Sequence, residues 1–204
     1  MKKRKGSFIT FEGPEASGKS SQIILLKEYL KKKNIPFIVT REPGGTIISE
    51  SIRNIILNKK NKISDLEEIL MLMAARSNHI EEVIKPALIQ NKIVISDRFA
   101  DSTFVYQGYL NGFGINSAKK LHKDLLNNFL PNKTFLFHLN PKEIIRRLKK
   151  RKVKNKYDKN DLLFHKKISL GYKIISKNQK RFINIDATKD KKFIHKVIIE
   201  NLGF

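Results

Sequence analysis

The chain has 204 residues and a formal net charge of +23, from 42 lysines and arginines against 19 aspartates and glutamates. This length suffices for one compact α/β domain with a substantial core, and two independent domains would be a tight fit. Hydrophobic residues make up 40% of the sequence and the mean hydropathy is −0.38, which excludes wholesale disorder. The absence of cysteine excludes disulfides and thiolate metal sites and favours a reducing cytoplasm.

The charge has two interpretations. Clustered basic residues release counterions from a phosphate backbone, as in nucleic-acid binders. Lysine-rich solvated faces are the alternative, which is favoured because lysines occur along the whole chain and no RNA- or DNA-binding module is evident. In either case positive charge would attract a polyanionic nucleotide. The sequence also shows no secretory leader, because only residues 8–11 are apolar after the basic start, and no membrane span.

Strand and helix patterns alternate along the chain. The predicted strands are residues 7–12, 37–40, 92–96, 133–139 and 181–185. The predicted helices are residues 20–33, 46–57, a long region from Asp65 as its cap to about Gln90, 102–110, 117–128, a helix from Pro141, 161–177 and 189–202. Such alternation predicts a five-stranded parallel sheet with helices on both faces. Residues 149–160 are polar and basic, which predicts a mobile loop.

The first predicted strand is followed by a phosphate-binding motif. Residues 13–20 read G-P-E-A-S-G-K-S, which matches G-x-x-x-x-G-K-[ST] between a strand and an amphipathic helix. Backbone N–H groups and the helix N-terminus would face phosphate oxygens, Lys19 would reach the β- and γ-phosphates, and Ser20 would ligate Mg²⁺. The predicted ATP-binding residues are Gly13, Pro14, Glu15, Ala16, Ser17, Gly18, Lys19, Ser20 and Ser21.

A second phosphate site is predicted by three arginines. Arg41 and Arg98 follow the second and third strands, and Arg76 lies on the helical region between them. Guanidinium groups bind phosphate oxygens with paired hydrogen bonds, so this placement suits a separate phosphate group. Asp97 ends the third strand, where its carboxylate would hold Mg²⁺ or, alternatively, cap the next helix. The motif N-K-x-D at residues 155–158 lacks a preceding strand, so we interpret it as chance rather than as a GTPase motif.

The motifs together resemble the bacterial thymidylate kinase family. They are F-E-G at residues 11–13, the P-loop, T-R-E-P-G-G-T at 40–46, A-A-R at 74–76, D-R-F at 97–99 and Y-Q-G at 106–108. The resemblance covers nearly the whole chain. It implies a three-layer P-loop kinase fold as one domain over residues 1–204, and phosphorylation of dTMP to dTDP by ATP with Mg²⁺. It also implies a homodimer formed through the 65–90 region. A kinase for another monophosphate, a nucleic-acid-binding ATPase and an inactive P-loop scaffold are the alternatives.

The resemblance also implies roles for individual residues. The expected dTMP-binding residues are Glu15, Arg41, Pro43, Leu72, Arg76, Arg98, Ser102, Tyr106 and Gln107. Arg76 and Arg98 would hold the phosphate, with Arg41 close by. Glu15 would accept a hydrogen bond from the 3′-hydroxyl, and Tyr106 would lie under the sugar. Pro43, after a cis peptide bond, would pack near the base, and Ser102 and Gln107 would lie along the nucleotide cleft. Leu72 replaces a usual aromatic ring, which should weaken base binding.

A basic lid is expected at approximately residues 146–160. Some family members carry a catalytic arginine inside the P-loop, but none stands there in this chain, so the lid is expected to supply a cation to the transferred phosphoryl group. Arg147 and Arg151 are the candidates, whereas Arg146 would equally face solvent. The expected catalytic residues are Lys19, Arg98, Arg147 and Arg151. The residues 155–158 depart from the family's D-R-x-E-like lid segment. His79 is expected on a helix surface, and no histidine is assigned a role.

Overall fold

The computed structural model describes residues 5–150 and 161–203. One sheet of five parallel strands has the order β2-β3-β1-β4-β5. The strands are β1 Ser7–Glu12, β2 Phe37–Arg41, β3 Ile93–Asp97, β4 Lys133–His138 and β5 Phe182–Asp186. The five predicted strands and their parallel pairing are therefore confirmed, with ends that differ by at most one residue.

The described helices surround this sheet. They are α1 Lys19–Lys32, α2 Ile47–Leu57, α3 Asp65–His79, α4 Lys85–Ile89, α5 Ala100–Thr103, α6 Ile115–Leu126, α7 Pro141–Lys149, α8 Leu162–Ser176 and α9 Lys191–Leu202. A π-helical turn, Ile80–Ile84, joins α3 to α4, and a second one, Phe104–Leu110, continues α5. The long helical region from residue 65 is thus confirmed. The predicted loop, residues 149–160, overlaps α7 at Lys149, which is still helical, and its residues 151–160 lie outside the described residues.

The predicted cap of α3 is wrong. Ser64 accepts a hydrogen bond from the backbone N–H of Glu67, whose carboxylate accepts one from the Ser64 N–H. This reciprocal capping box leaves Asp65 as the first helical residue, where its negative charge suits the helix dipole.

Two apolar layers bury the two faces of the sheet. Successive side chains of a strand point to opposite faces, so Phe8 of β1 packs in one layer and Ile9 in the other. The Phe8 layer includes buried side chains of α3, α6 and α8, and the Ile9 layer those of α1, α7 and α9. Helices therefore cover both faces, as predicted.

Parallel pairing brings the functional strand ends to one edge of the sheet. Asp97 at the end of β3 is in register with Phe11 of β1 and Arg41 of β2. Gly13, Glu42 and Arg98, which follow these three strands, must lie at the same edge, where ligands bind in such sheets. Within residues 5–150 and 161–203, none of the helices has the length and apolar character needed to cross a bilayer.

Candidate active site

A cleft with a volume of about 570 Å³ opens at this edge of the sheet. Every residue predicted to bind dTMP lines it, together with Glu15–Ser21 of the P-loop and Asp97. The two predicted phosphate sites therefore share one cleft. No role was predicted from the sequence for six other lining residues, which are Glu42, Arg53, Ile56, Leu57, Phe99 and Thr103.

The P-loop encloses the Lys19 ammonium group. Gly13 has φ 130°, and a Cβ atom there would lie 2.5 Å from the carbonyl oxygen of Phe137, so only glycine fits. Lys19 Nζ donates to the carbonyl oxygens of Gly13 at 3.1 Å and Pro14 at 2.8 Å. Burial lowers the pKa of Lys19 to about 8, and the nearby Arg98 acts in the same direction. An anion bound in the loop would stabilise the charged form of Lys19.

Ser20 and Asp97 form an oxygen-rich pair beside the loop. Ser20 Oγ donates to Asp97 Oδ2 at 3.0 Å, which joins the first turn of α1 to the end of β3. Asp97 is not the cap of the next helix, because the backbone N–H groups of Phe99 and Ser102 donate to Glu12 instead, at 2.7 and 3.3 Å. Hydroxyl and carboxylate oxygens are ligands that suit Mg²⁺. No group of three or more metal-ligating side chains occurs in the described part of the chain.

Arg76 is buried against the cleft wall by a fixed set of partners. Its Nε donates to Glu42 Oε2 at 2.7 Å and its Nη2 to Thr103 Oγ1 at 2.8 Å, while the guanidinium carbon lies 5.1 Å from the centre of the Phe99 ring. Burial alone would raise the pKa of Glu42, but Arg76 and His79 outweigh it and hold that pKa below its usual value. The ion pair therefore stays charged and holds the arginine at the cleft.

His79 contradicts its prediction as a surface residue. Its side chain is fully buried, with Nδ1 2.9 Å from Glu42 Oε1 and Nε2 2.7 Å from Thr40 Oγ1. The imidazole thus connects β2 to the carboxylate that holds Arg76. Gly45 lies against the same ring, since a Cβ atom there would be 2.6 Å from His79 Nε2. The Glu42–Pro43 peptide bond between these residues is cis, as predicted.

Arg98 makes contacts from a strained backbone. Its φ is 71°, in the left-handed region that non-glycine residues adopt at some cost, often at functional sites. Its Nη2 donates to Glu15 Oε1 at 2.6 Å, and its Nη1 donates to Ser102 Oγ at 3.0 Å and Tyr172 Oη at 3.1 Å. Glu15, expected at the 3′-hydroxyl, is therefore an ion-pair partner of the predicted phosphate ligand.

Beneath Arg98 lies a buried carboxylate that sequence reasoning did not single out. Glu12 Oε2 accepts hydrogen bonds from Ser102 Oγ at 2.6 Å and Tyr172 Oη at 3.0 Å. Burial raises the pKa of Glu12 to about 7; Asp101 acts in the same direction and Arg98 opposes it. Because Tyr172 belongs to α8, this network joins the end of β1 to the helix that follows residues 151–160.

Two further arginines lie at the outer rim. Arg41 pairs with Glu50 through both Nη2–carboxylate contacts, at 3.0 and 2.9 Å, and its side chain is 56% exposed, so the pair is largely solvated. Arg53, which sequence reasoning missed, donates from Nη1 to the carbonyl oxygen of Pro43 at 2.8 Å. The sequence did contain a signal for Arg53, because it is the seventh residue of α2, the helix that follows the T-R-E-P-G-G-T segment.

Known proteins share this arrangement of elements. A family model described as thymidylate kinase matches residues 11–198. The thymidylate kinase of Thermoanaerobacter sp. (strain X514) is 41% identical over 197 residues, which cover 96% of this chain and 97% of the relative. That of Mycoplasma capricolum subsp. capricolum is 42% identical over 203 residues, which cover 96% and 95%. The crystal structure of thymidylate kinase from Ehrlichia chaffeensis has a TM-score of 0.75 and 34% identity, and covers 97% of this chain and 99% of that one.

The chain belongs to the thymidylate kinase family. This membership confirms the predicted family and, with the five-stranded parallel sheet between helices, the predicted P-loop kinase fold.

The wall opposite the P-loop departs from the pattern expected for the thymidylate kinase family at Leu72. This side chain is 7% exposed and lines the cleft from α3, where the resemblance implies an aromatic ring. Tyr106 lies below Arg98, whose guanidinium carbon is 5.4 Å from the ring centre. Gln107 lines the same wall, and its Nε2 donates to the buried Glu68 Oε1 at 2.7 Å.

One of the two arginines expected in the lid of a thymidylate kinase lies at the P-loop. Arg147 donates from Nη1 to the carbonyl oxygen of Ala16 and from Nη2 to that of Ala187, both at 3.3 Å. Its Nε donates to Glu143 at 2.7 Å, which orients the guanidinium group. Arg146 also pairs with Glu143 but is 63% exposed. Arg151 lies outside the described residues.

Proposed function

We propose that the chain transfers the γ-phosphoryl group of ATP to dTMP and forms ADP and dTDP. The observation that carries this proposal is the shared cleft, which is lined by the P-loop, by the buried Arg76 and by the partly buried Arg98. Membership in the thymidylate kinase family supports the same reaction. The P-loop would bind the phosphates of ATP, and the two arginines would bind the phosphate of dTMP.

The reaction needs positioning and charge more than proton transfer. The acceptor is already a phosphate oxyanion, so no general base is required. Lys19 would contact the β- and γ-phosphates, while Arg98, joined to Glu15, Ser102 and Tyr172, would hold the acceptor oxygen within reach. These cations would offset the negative charge of two phosphate groups brought together.

Magnesium is the proposed cofactor, and the residues present fit it. Ser20 Oγ and Asp97 Oδ2 supply adjacent oxygen ligands at the loop, and the remaining positions would go to phosphate oxygens and water. When bound, Mg²⁺ neutralises charge on the β- and γ-phosphates. Asp97, at the end of β3, would orient Ser20 toward it.

Arg147 and Arg151 are the proposed sources of the cation at the transferred phosphoryl group. Arg147 supports this role because its Nη1 already contacts the Ala16 carbonyl oxygen of the P-loop. Residues 146–149 of the expected lid at 146–160 belong to α7, so Arg147 would act from that helix and Arg151 from the rest of the lid. Both would be part of one kinase domain over residues 1–204.

A homodimer through the 65–90 region is proposed as well, with α3 of that region and the neighbouring α2 at the contact. These helices expose the apolar side chains of Ile48, Ile55, Leu66 and Leu70, which are between 46% and 55% exposed and which a second copy would bury.

The absence of cysteine from the whole sequence supports a cytoplasmic location.

The test is a coupled ADP-release assay with Mg·ATP and dTMP, dUMP, dCMP or dGMP, each with and without single-stranded DNA. Strong preference for dTMP, with no effect of DNA, is the expected result. Preference for another monophosphate would mean that the chain is a kinase for that monophosphate instead of dTMP. Release of ADP that depends on DNA and not on any monophosphate would replace the kinase by a nucleic-acid-binding ATPase.

A further inference from the structure

One side-chain amide of the cleft is suited to reading the edge of a base. Among the described residues that line it, Gln107 is the one with a side-chain amide, a group that both donates and accepts hydrogen bonds. Its partner Glu68 lies one helical turn before Leu72 on α3, and residues at this spacing share a helix face. The amide therefore lies beside an apolar wall that suits a planar base.

The contact with Glu68 determines which end of the amide faces the cleft. Gln107 Nε2 lies 2.7 Å from Glu68 Oε1, and the two residues are 3% and 6% exposed. A carboxylate accepts hydrogen bonds but donates none, so it requires the NH₂ end of the amide. Rotating the amide by half a turn would place two acceptor oxygens against each other in a buried site, which is costly.

Gln107 thus offers the cleft a defined pattern. Its Oε1 remains an acceptor, and its NH₂ group keeps a second N–H after donating to Glu68. Thymine and uracil present a donor at N3 next to an acceptor at O4, which is complementary to this pair. Cytosine presents an acceptor at N3 next to an amino donor, which opposes both groups.

We propose that Glu68 sets the selectivity for thymine over cytosine by fixing the amide of Gln107. Glu68 is a positioning residue in this scheme, because it acts through Gln107. The inference rests on the proposed function as far as dTMP is the substrate. Uracil has the same N3 and O4 edge as thymine, so Glu68 contributes nothing to the choice between dTMP and dUMP.

The test compares kcat/KM for dTMP, dCMP and dUMP in the wild type and in Glu68→Gln. The substitution is nearly isosteric, and a glutamine at 68 can rotate to offer either its oxygen or its NH₂ group to Gln107. Gln107 can then adopt the flipped orientation of its amide, in which its donor and acceptor match N3 and the amino group of cytosine. We expect the dTMP:dCMP ratio to fall about tenfold or more, which is the effect of about one buried hydrogen bond, while the dTMP:dUMP ratio stays unchanged.

The matched control is Glu81→Gln, the same chemical change at an exposed residue that pairs with Lys85. Its two ratios should equal those of the wild type. A general loosening of the cleft by Glu68→Gln would lower all three rates together or alter both ratios, and either result would overturn the role of Glu68. An unchanged dTMP:dCMP ratio would overturn it as well.

Failure of the proposed kinase activity can be distinguished from failure of the proposed role of Glu68. A wild type that binds dTMP but does not phosphorylate it would refute the kinase activity, and the same ratios taken from dissociation constants by calorimetry would still test Glu68. A wild type that binds neither dTMP nor dCMP would overturn both proposals.

Discussion

Tyr172→Phe removes one hydroxyl group from the network that holds Arg98. The Tyr172 side chain is 1% exposed, and its Oη donates to Glu12 Oε2 at 3.0 Å and accepts from Arg98 Nη1 at 3.1 Å. The ring can remain packed in α8, so the change is confined to these polar contacts. Arg98 keeps its bonds to Glu15 and Ser102, but it loses the contact that ties it to α8.

The size of the effect is set by the two lost hydrogen bonds to charged groups, since the third contact of the Tyr172 hydroxyl, at 3.1 Å from Ser102 Oγ, joins two neutral hydroxyl groups. A hydrogen bond to a charged group contributes about 1.5–3 kcal/mol, so losing both should lower the free energy of unfolding by about 3 kcal/mol. For a chain of this size that corresponds to a fall in Tm of roughly 6–12 °C. A less firmly held Arg98 should also raise the KM for dTMP about tenfold, whereas the KM for ATP should change little.

Thermal unfolding and steady-state kinetics measure both effects. Tyr109→Phe is the matched control, because the described structure gives the Tyr109 hydroxyl no hydrogen bond, and its Tm and KM values should equal those of the wild type. A Tyr172→Phe variant with unchanged Tm and unchanged KM for dTMP would refute the role of this network. Equal increases in both KM values would mean that the damage is general rather than directed at Arg98.

Three further predictions concern charged groups. Lys19→Ala should lower kcat about a thousandfold or more, because it removes a cation at the transferred phosphoryl group. The control, Lys27→Ala, changes an exposed lysine and should leave kcat unchanged. Full activity of Lys19→Ala would place the ATP site elsewhere. Arg147→Ala combined with Arg151→Ala should lower kcat more than dTMP affinity, and a loss of affinity alone would rule out the lid role. The pKa of Glu12 is about 7 when folded against 4.5 ordinarily, so the folded state holds a proton that the unfolded state releases. The contribution of Glu12 to stability should therefore be greatest below pH 4.5 and fall by up to about 3 kcal/mol as the pH rises toward 7. Glu12→Gln should remove this part of the pH dependence in urea unfolding, and equal slopes in the two proteins would contradict the assignment.

Local patterns were sufficient for the strands and for the phosphate loop. Each strand is a short apolar run bounded by turn residues, and the G-x-x-x-x-G-K-S spacing fixes the position of Lys19 relative to its strand and helix. The cap of α3 was missed although its signal was present, because Ser64 and Glu67 have the spacing of a capping box.

The buried polar contacts were harder to predict, since they join residues distant in the sequence. The Tyr172 and Glu12 partners are 160 positions apart, and no local pattern indicates which hydroxyl reaches which carboxylate. His79 was expected on a helix surface. It lies seven residues after the buried Leu72, however, so helical periodicity did indicate its burial.

The most direct test of the proposed reaction follows the phosphoryl group itself. The protein would be incubated with Mg²⁺, ATP labelled at the γ-phosphate, and unlabelled dTMP, and the labelled products would be separated. The proposal predicts that the label appears in the β-phosphate of dTDP and that little free phosphate forms. Label released as inorganic phosphate, with none in dTDP, would contradict transfer to dTMP and leave the cleft as the site of a hydrolase.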